Sequence, residues 1–434
     1  MRRFSVFVIG IFLFSYSYSQ DSLTIEQAIQ YAVKHNYGVL ISRNSIEIGK
    51  INNSWANAGA LPVVSGTLSK SLGINNIDQK LNSGTDIKKN GATNQNLQAG
   101  LNVNYNVLNG FKLFATKKRL EELERNGEYA FKQSLNQIIY NVVTGYFNIV
   151  KLKEQQKATE EQIQLYQDRL KIADVKYQIG SGAKYEYLQA QIDLNEQISS
   201  LLTIKNQIDV AKNDLNTLLG KPADTLYKVA DTIMINPIPD LITVTSKIDK
   251  QNADILLANS NLEILRQSRK EINAGRLPTI IVNGNYNFVR SANGAGLTLY
   301  NQTYGPSASI GLSVPIFNGG VVNRQLRIND IQLKNQNLSI DQARLNANNM
   351  AQDAFANYNN ALAIVELEKN NLKLNAENVF IATQRFKELN ITSVELRTVQ
   401  LSYINSETRL YNALYQAKVA ETELALLTGD ISTL

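Results

Sequence analysis

Val107-Leu108-Asn109-Gly110-Phe111 opens a stretch that runs on to Leu218-Leu219-Gly220, and the chain contains that stretch twice. The second copy runs from Asn318-Gly319 to Leu427-Thr428-Gly429. Neither copy holds a proline, and Leu, Ile, Ala, Gln, Glu and Lys, good helix formers on average, fill both. Sixty-seven residues lead from Gly110 to Tyr177 and from Gly319 to Phe386, and 43 more lead to each closing glycine. Equal lengths broken at the same point mark one structural unit duplicated. As helix, at about 1.5 Å per residue, the longer arm reaches roughly 100 Å. That spacing predicts a rod or a tunnel wall.

Before each rod the apolar period changes to two. Leu97, Ala99, Leu101, Val103, Tyr105 and Val107 alternate with Gln98, Gly100, Asn102, Asn104 and Asn106. Ile280, Val282, Tyr286 and Phe288 alternate in the same way with Thr279, Asn283, Asn285 and Asn287, as do Ala308, Ile310, Leu312 and Val314 with Ser307, Ser309, Gly311 and Ser313. Pro62 to Leu72 is a weaker case, with Val64 and Leu68 opposed to Ser65, Thr67 and Ser69. Strands of this kind, apolar on one side and small or polar on the other, match transmembrane β-strands. They also match a half-buried antiparallel sheet. Gly73–Asn96 and Ser291–Gly305, rich in Asn, Gly, Ser and Thr, read as exposed loops. Leu23 to Ala60 reads as a leading helix capped near Ser22 and Glu26, and Asn57-Ala58-Gly59-Ala60-Leu61-Pro62 ends it. The second half repeats that ending as Asn273-Ala274-Gly275-Arg276-Leu277-Pro278.

Arg2, Arg3, the apolar run Phe4 to Phe14 and Ser17-Tyr18-Ser19 read as a secretory signal over residues 1–19. A first repeat follows over 20–220, with strands at 62–72 and 97–108 and a helical hairpin at 111–220. A proline-bearing linker covers 221–246. The second repeat spans 247–434, with strands at 278–290 and 306–317 and a hairpin at 319–429. The chain has no cysteine, so neither disulfides nor thiolate metal sites hold it. Without the two signal arginines, 42 Lys and Arg face 38 Asp and Glu, with no basic block of the sort a nucleic-acid partner needs. No phosphate loop, metal cluster or catalytic triad spacing is present, which leaves no cofactor and no enzyme chemistry to assign. Four strands cannot close a barrel in lipid, so a membrane role requires oligomerisation.

The order and duplicated spacing of Leu61-Pro62, Leu277-Pro278, the two strand exits, the break Tyr177-Gln178-Ile179-Gly180 and the closing glycines resemble the outer membrane efflux protein (TolC) family over essentially the whole mature chain. The resemblance implies a mainly α protein with transmembrane β: a homotrimer whose 12-stranded β-barrel in outer membrane lipid continues into a 12-helix periplasmic α-barrel. It implies a passive exit duct of an efflux pump or type I secretion system in a Gram-negative bacterium. Its partners are then a periplasmic adaptor (a membrane fusion protein) and an inner-membrane transporter of RND or ABC type. The rival reading is a soluble periplasmic coiled-coil scaffold with a small β-domain.

On that resemblance the hairpin turns are the periplasmic tips, which makes Gly180, Gly182, Leu389 and Asn390 candidates for adaptor docking. Glycine takes positive φ freely and asparagine tolerates it best among the rest, so each of these residues also reads simply as turn chemistry. Glu186 and Glu395 occupy matching positions six residues after the turn, where the family carries a pore-facing acid. A ring of Glu395 carboxylates biases a pore towards cations, while a glutamate at a helix start also suits the helix dipole. Thr398 stands where some members have a second acid. Phe386 and Ile391 replace a Tyr and an Arg that latch the tip in some members, and Tyr177, Lys176, Lys184, Arg385 and Arg397 are available for other links. Trp55, the only tryptophan, is a candidate membrane-boundary aromatic. His35, the only histidine, reads as structural.

Overall fold

The computed structural model describes residues 22–230, 232–388 and 390–431. The signal expected at 1–19 lies outside the described residues. Twelve elements follow in order: α1 (Ile25–His35), α2 (Tyr37–Asn52), β1 (Val63–Lys80), β2 (Asp86–Asn109), α3 (Lys112–Gln178), α4 (Lys184–Leu219), α5 (Leu241–Gln251), α6 (Ala253–Ala274), β3 (Thr279–Asn293), β4 (Tyr300–Ser313), α7 (Val321–Lys387) and α8 (Ser393–Thr428). Helices α3 and α7 are each 67 residues long, and α4 and α8 are each 36. No described helix is long and apolar enough to cross a membrane.

The leading helix is not continuous. It breaks at Asn36, whose Oδ1 accepts the backbone N–H groups of Gly38 and Val39 while its Nδ2 reaches Leu218 O. Asn252 does the same before α6, accepting from Asp254 and Ile255. A side chain that satisfies the free N–H groups of a new helix start makes the break stable. The cap of α1 is Thr24 with Gln27 in a capping box, not Ser22 with Glu26.

The chain divides into two compact units, one formed by residues up to 40, 135–248 and 348 onward, the other by 41–134 and 249–347. The second unit holds a single antiparallel sheet in the order β1-β2-β3-β4. Both hairpins run past the strand ends expected from alternation. The supposed loop Gly73–Asn96 is mostly ladder, because Ser71 to Lys80 pair with Asp86 to Asn96 across one bulge. Backbone pairing needs no apolar side chains, so alternation marks only part of each strand. The Ser291–Gly305 loop shrinks likewise, since Ser291 pairs with Asn301 and Ala292 with Tyr300. At its other end β4 stops at Ser313, before Pro315, which has no N–H to donate.

The sheet has two unlike faces. One cross-strand row reads Leu68, Ala99, Phe288, Tyr304 and the next Gly66, Leu101, Tyr286, Pro306. This apolar face is bare in a single chain, with Leu68 77 % and Ile310 75 % exposed. The opposite face reads Ser65, Asn102, Asn285, Ser307, and Asn285 Oδ1 accepts from Ser307 and Asn287. Gly110 ends β2 at φ 64°. A Cβ there would lie 2.3 Å from Ala274 O, so only glycine fits this turn. Phe111, with φ 61°, adopts the left-handed conformation that Gly320 has at the matching place in the second copy. Around the sheet's helices, Arg119 pairs with Glu271 at 2.9 Å and Arg269 with Asp330 at 2.8 Å.

In the first unit Val142, Ile149, Val150, Leu215 and Leu219 form the centre of the core. Tyr146 fastens the chain around it: its hydroxyl donates to Leu23 O and accepts from Ala230 N. The linker is a strap rather than free chain, since Asn216 holds Ala223 O and Thr225 O, and Tyr358 holds Asn236 O. It ends earlier than 246, at the start of α5. His35 lies against the ring of Tyr31, centroids 4.3 Å apart.

Candidate functional site

The two hairpin turns, Gln178 to Lys184 and Lys387 to Ser393, belong to the first unit. At the first, the N–H groups of Ser181 and Gly182 both donate to Lys176 O at 2.9 Å, closing α3. Gly180 sits at φ 72° with open space around it. A Cβ on Gly182 would lie 2.8 Å from that of Lys176, so the glycine lets the chain fold back closely. The second turn uses other means. Asn390 donates its N–H to Arg385 O at 2.8 Å and its side-chain amide to Glu388. It does not take the left-handed conformation expected of it: among described non-glycine residues only Phe111 has positive φ. Leu389 lies outside the described residues.

Helix α8 starts with a full capping box. Thr392 Oγ1 accepts the Glu395 N–H, and Glu395 Oε2 accepts the Thr392 N–H at 2.7 Å and its hydroxyl at 2.9 Å. These bonds, the backbone one foremost, hold the exposed Glu395 carboxyl below the usual glutamate range, and Arg385 adds to the effect. The carboxylate is charged and fixed against its own helix start. Glu186 is half-buried in the first turn of α4, where Ala183 supplies no side-chain cap. Thr398 is exposed and returns its hydroxyl to Val394 O.

Behind the turns lies a network that the sequence did not mark. Arg169 on α3 donates through Nη2 to Asp193 Oδ2 on α4 at 2.8 Å, and its Nε reaches Ser393 Oγ on α8 at 3.3 Å. Arg397 on α8 approaches Asp193 Oδ1 at 3.2 Å, and Gln189 donates to the same oxygen. One carboxylate therefore ties three helices. Of these residues only Arg397 stood among the candidate links, because a polar residue buried between helices leaves no periodic trace. On α4 the apolar residues mislead: Tyr185, Leu188 and Ile192 are exposed, whereas Ala190 and Asp193 are buried. Phe386 is buried with Ala382 and Leu396, and Lys176 lies over its ring at 3.8 Å while donating to its carbonyl. Burial there lowers the Lys176 pKa, with Glu186 nearby opposing the shift.

Further along α3 and α8, Gln162 donates to Glu407 at 3.2 Å, and burial raises the Glu407 carboxyl above its ordinary range. Within the second hairpin, Arg409 grips Glu368 with two bonds and Ser406 adds a third. Lys171, Ile172, Val175, Ile179 and Lys387 line an open groove of about 350 Å³ beside the first turn. Among the described residues no group of three or more His, Cys, Asp or Glu is placed to hold a metal ion. Trp55, in the second unit between α2 and β1, is half exposed, edge-on to Phe114 and under Lys117.

The family model for outer membrane efflux proteins matches residues 52–221 and 244–430, both repeats included. The chain belongs to the outer membrane efflux protein family. It is 20 % identical over 306 residues to the outer membrane protein TolC of Escherichia coli K12, covering 68 % of this chain and 62 % of that relative's length. It is 19 % identical over 416 residues to the outer membrane efflux protein BepC of Brucella suis, covering 95 % and 86 %. The fold matches the Campylobacter jejuni CmeC outer membrane channel with a TM-score of 0.79 at 17 % identity, over 94 % of this chain and 85 % of that one. It also matches a CusC structure at 0.78, over 93 % and 91 %.

Proposed function

We propose that this chain is the outer-membrane exit duct of a tripartite efflux pump or type I secretion system, conducting passively and without catalysis. The observation that carries the reading is the sheet. Its edge strands β1 and β4 each have only one neighbour, and its apolar face is bare. An open edge in lipid leaves backbone groups unsatisfied, so such a sheet must close on other copies. Three copies give a 12-stranded barrel, within the range of outer-membrane barrels, and a tunnel of 12 long helices.

The Asn and Ser face then lines the barrel lumen and carries no charge in its central rows, which leaves charge selection to the hairpin turns. There Glu395 and Glu186 supply carboxylate rings, with Thr398 one turn further on. Gly180, Gly182, Leu389 and Asn390 receive a periplasmic adaptor, which connects the duct to an inner-membrane transporter of RND or ABC type. Trp55 stands at the periplasmic boundary of the outer membrane. In this reading residues 1–19 are the secretory signal and the two repeats are the two halves of each subunit's wall.

Cell fractionation tests the reading. The duct requires extraction by detergent only and heat-modifiable migration on gels; release by osmotic shock alone favours the soluble scaffold and ends the proposal.

A further inference from the structure

The apolar face of the sheet is interrupted by charge in one row. Lys70 of β1, Leu97 of β2, Arg290 of β3 and Gln302 of β4 are directly cross-strand, so all four project from the same face as Leu68, Phe288 and Tyr304. Lys70 and Arg290 are both exposed, and no acidic residue lies in this row or in the rows between it and the helices. Arg290 holds its guanidinium 5.4 Å from the ring centre of Tyr300, and Tyr300 in turn donates its hydroxyl to Gln302 at 2.6 Å.

The row's height can be placed. All four strands join helices at one end and turn at the other. Ile280 begins the apolar face of β3, and Arg290 stands ten residues further towards the turns. Ten residues of strand measure about 34 Å. At the roughly 40° tilt of membrane barrels this rises about 26 Å, the height of an outer-membrane apolar band. A cation on the lipid face is costly at mid-bilayer and nearly free at the edge. Tyr286, Phe288, Tyr300 and Tyr304 flank the row as an interfacial aromatic girdle does. Leu72 continues the apolar face past Lys70, so Lys70 stands just inside the margin, where its stem carries the ammonium outward.

We propose that Lys70 and Arg290 form a binding site for the phosphates of lipid A at the outward rim of the barrel, once per subunit. The two side chains stand two strands apart, about 10 Å at the usual strand spacing. That separation lets one headgroup with two phosphates engage both, the guanidinium offering paired donors to one of them. The inference rests on the duct reading, because it needs the apolar face to meet lipid.

The test reconstitutes the full chain into phosphatidylcholine vesicles doped with lipid A or with dephosphorylated lipid A, and weighs the lipid retained after mild detergent extraction. The wild type is expected to keep lipid A in preference to the dephosphorylated form, and inorganic phosphate should not displace it. Lys70→Gln with Arg290→Gln should weaken retention roughly thirtyfold, the loss of two interfacial cations. Lys70→Arg with Arg290→Lys should keep it. Equal retention of both lipids by the wild type, unchanged retention in the glutamine variant, or displacement by inorganic phosphate overturns the site. Heat-modifiable migration separates the two readings. A wild type that enters no vesicle removes the duct itself, whereas one that inserts without phosphate preference removes only the lipid A site.

Discussion

Arg169 on α3 and Asp193 on α4 form an ion pair at 2.8 Å with both side chains excluded from water, 1 % and 2 % exposed. Removing one partner of such a pair leaves an uncompensated buried charge, which costs about 3–5 kcal/mol. Asp193→Ala should therefore lower the thermal midpoint strongly and speed hydrogen exchange in the last turns of α3 and the first of α8. Arg169→Met combined with Asp193→Leu should recover most of the loss, since a well-packed apolar pair replaces a buried ionic one at little cost. An Asp193→Ala protein as stable as the wild type would show that the pair ties nothing together.

Two glutamates on α8 should give opposite pH signatures. Burial raises the Glu407 pKa above the model-compound value of 4.5, so the folded chain holds that proton more tightly than the unfolded one. Its contribution falls as pH rises from 4.5 through the raised value. The Thr392 bonds lower the Glu395 pKa, so its contribution is complete above 4.5 and is lost as pH falls through the lowered value. In thermal melts across this range, Glu407→Gln should flatten the decline towards neutral pH, and Glu395→Gln should remove the acid-side loss while lowering stability at neutral pH.

The duplicated helical units, their break and their glycine ends were readable because length and glycine position survive duplication even where side chains diverge. Gly220 and Gly429 cap α4 and α8 in the left-handed conformation at matching places. The two faces of the sheet were readable from alternation. What escaped depends on contacts between distant segments. The side chain of Asp193 is buried only because Arg169 comes from another helix and Arg397 from a third. The extra hairpin length beyond Leu72 is held by backbone bonds that impose no side-chain pattern. Asn36 resembles any helix residue until Leu218 O is beside it.

Gly110 and Gly180 share positive φ but not surroundings, and this predicts unequal tolerance. Gly180→Ala meets open space, so it should cost only about 1–2 kcal/mol of left-handed strain. Gly110→Ala adds a backbone clash with Ala274 O and should abolish or sharply reduce folded protein. Expression level and melting midpoint of the two variants measure the difference. Equal behaviour would mean the turn after β2 relaxes freely.

If Glu395 carboxylates ring the pore, Glu395→Ala should reduce cation preference and block by trivalent cations in planar bilayers. Thr392→Val, which frees the Glu395 side chain from a hydrogen bond without removing its charge, should retain both. Unchanged selectivity in Glu395→Ala would reduce Glu395 to a helix cap.

The central claim is that β1 of one copy pairs with β4 of the next until three copies close. The chain has no cysteine, so introduced pairs report cleanly. Ser65→Cys on β1 should be combined in turn with Ser307→Cys, Ser309→Cys and Ser313→Cys on β4, and each pair oxidised in the membrane. The account predicts that one register gives covalent dimers and trimers on denaturing gels and nothing larger. Monomers alone in every register, or a ladder extending past three, would contradict it.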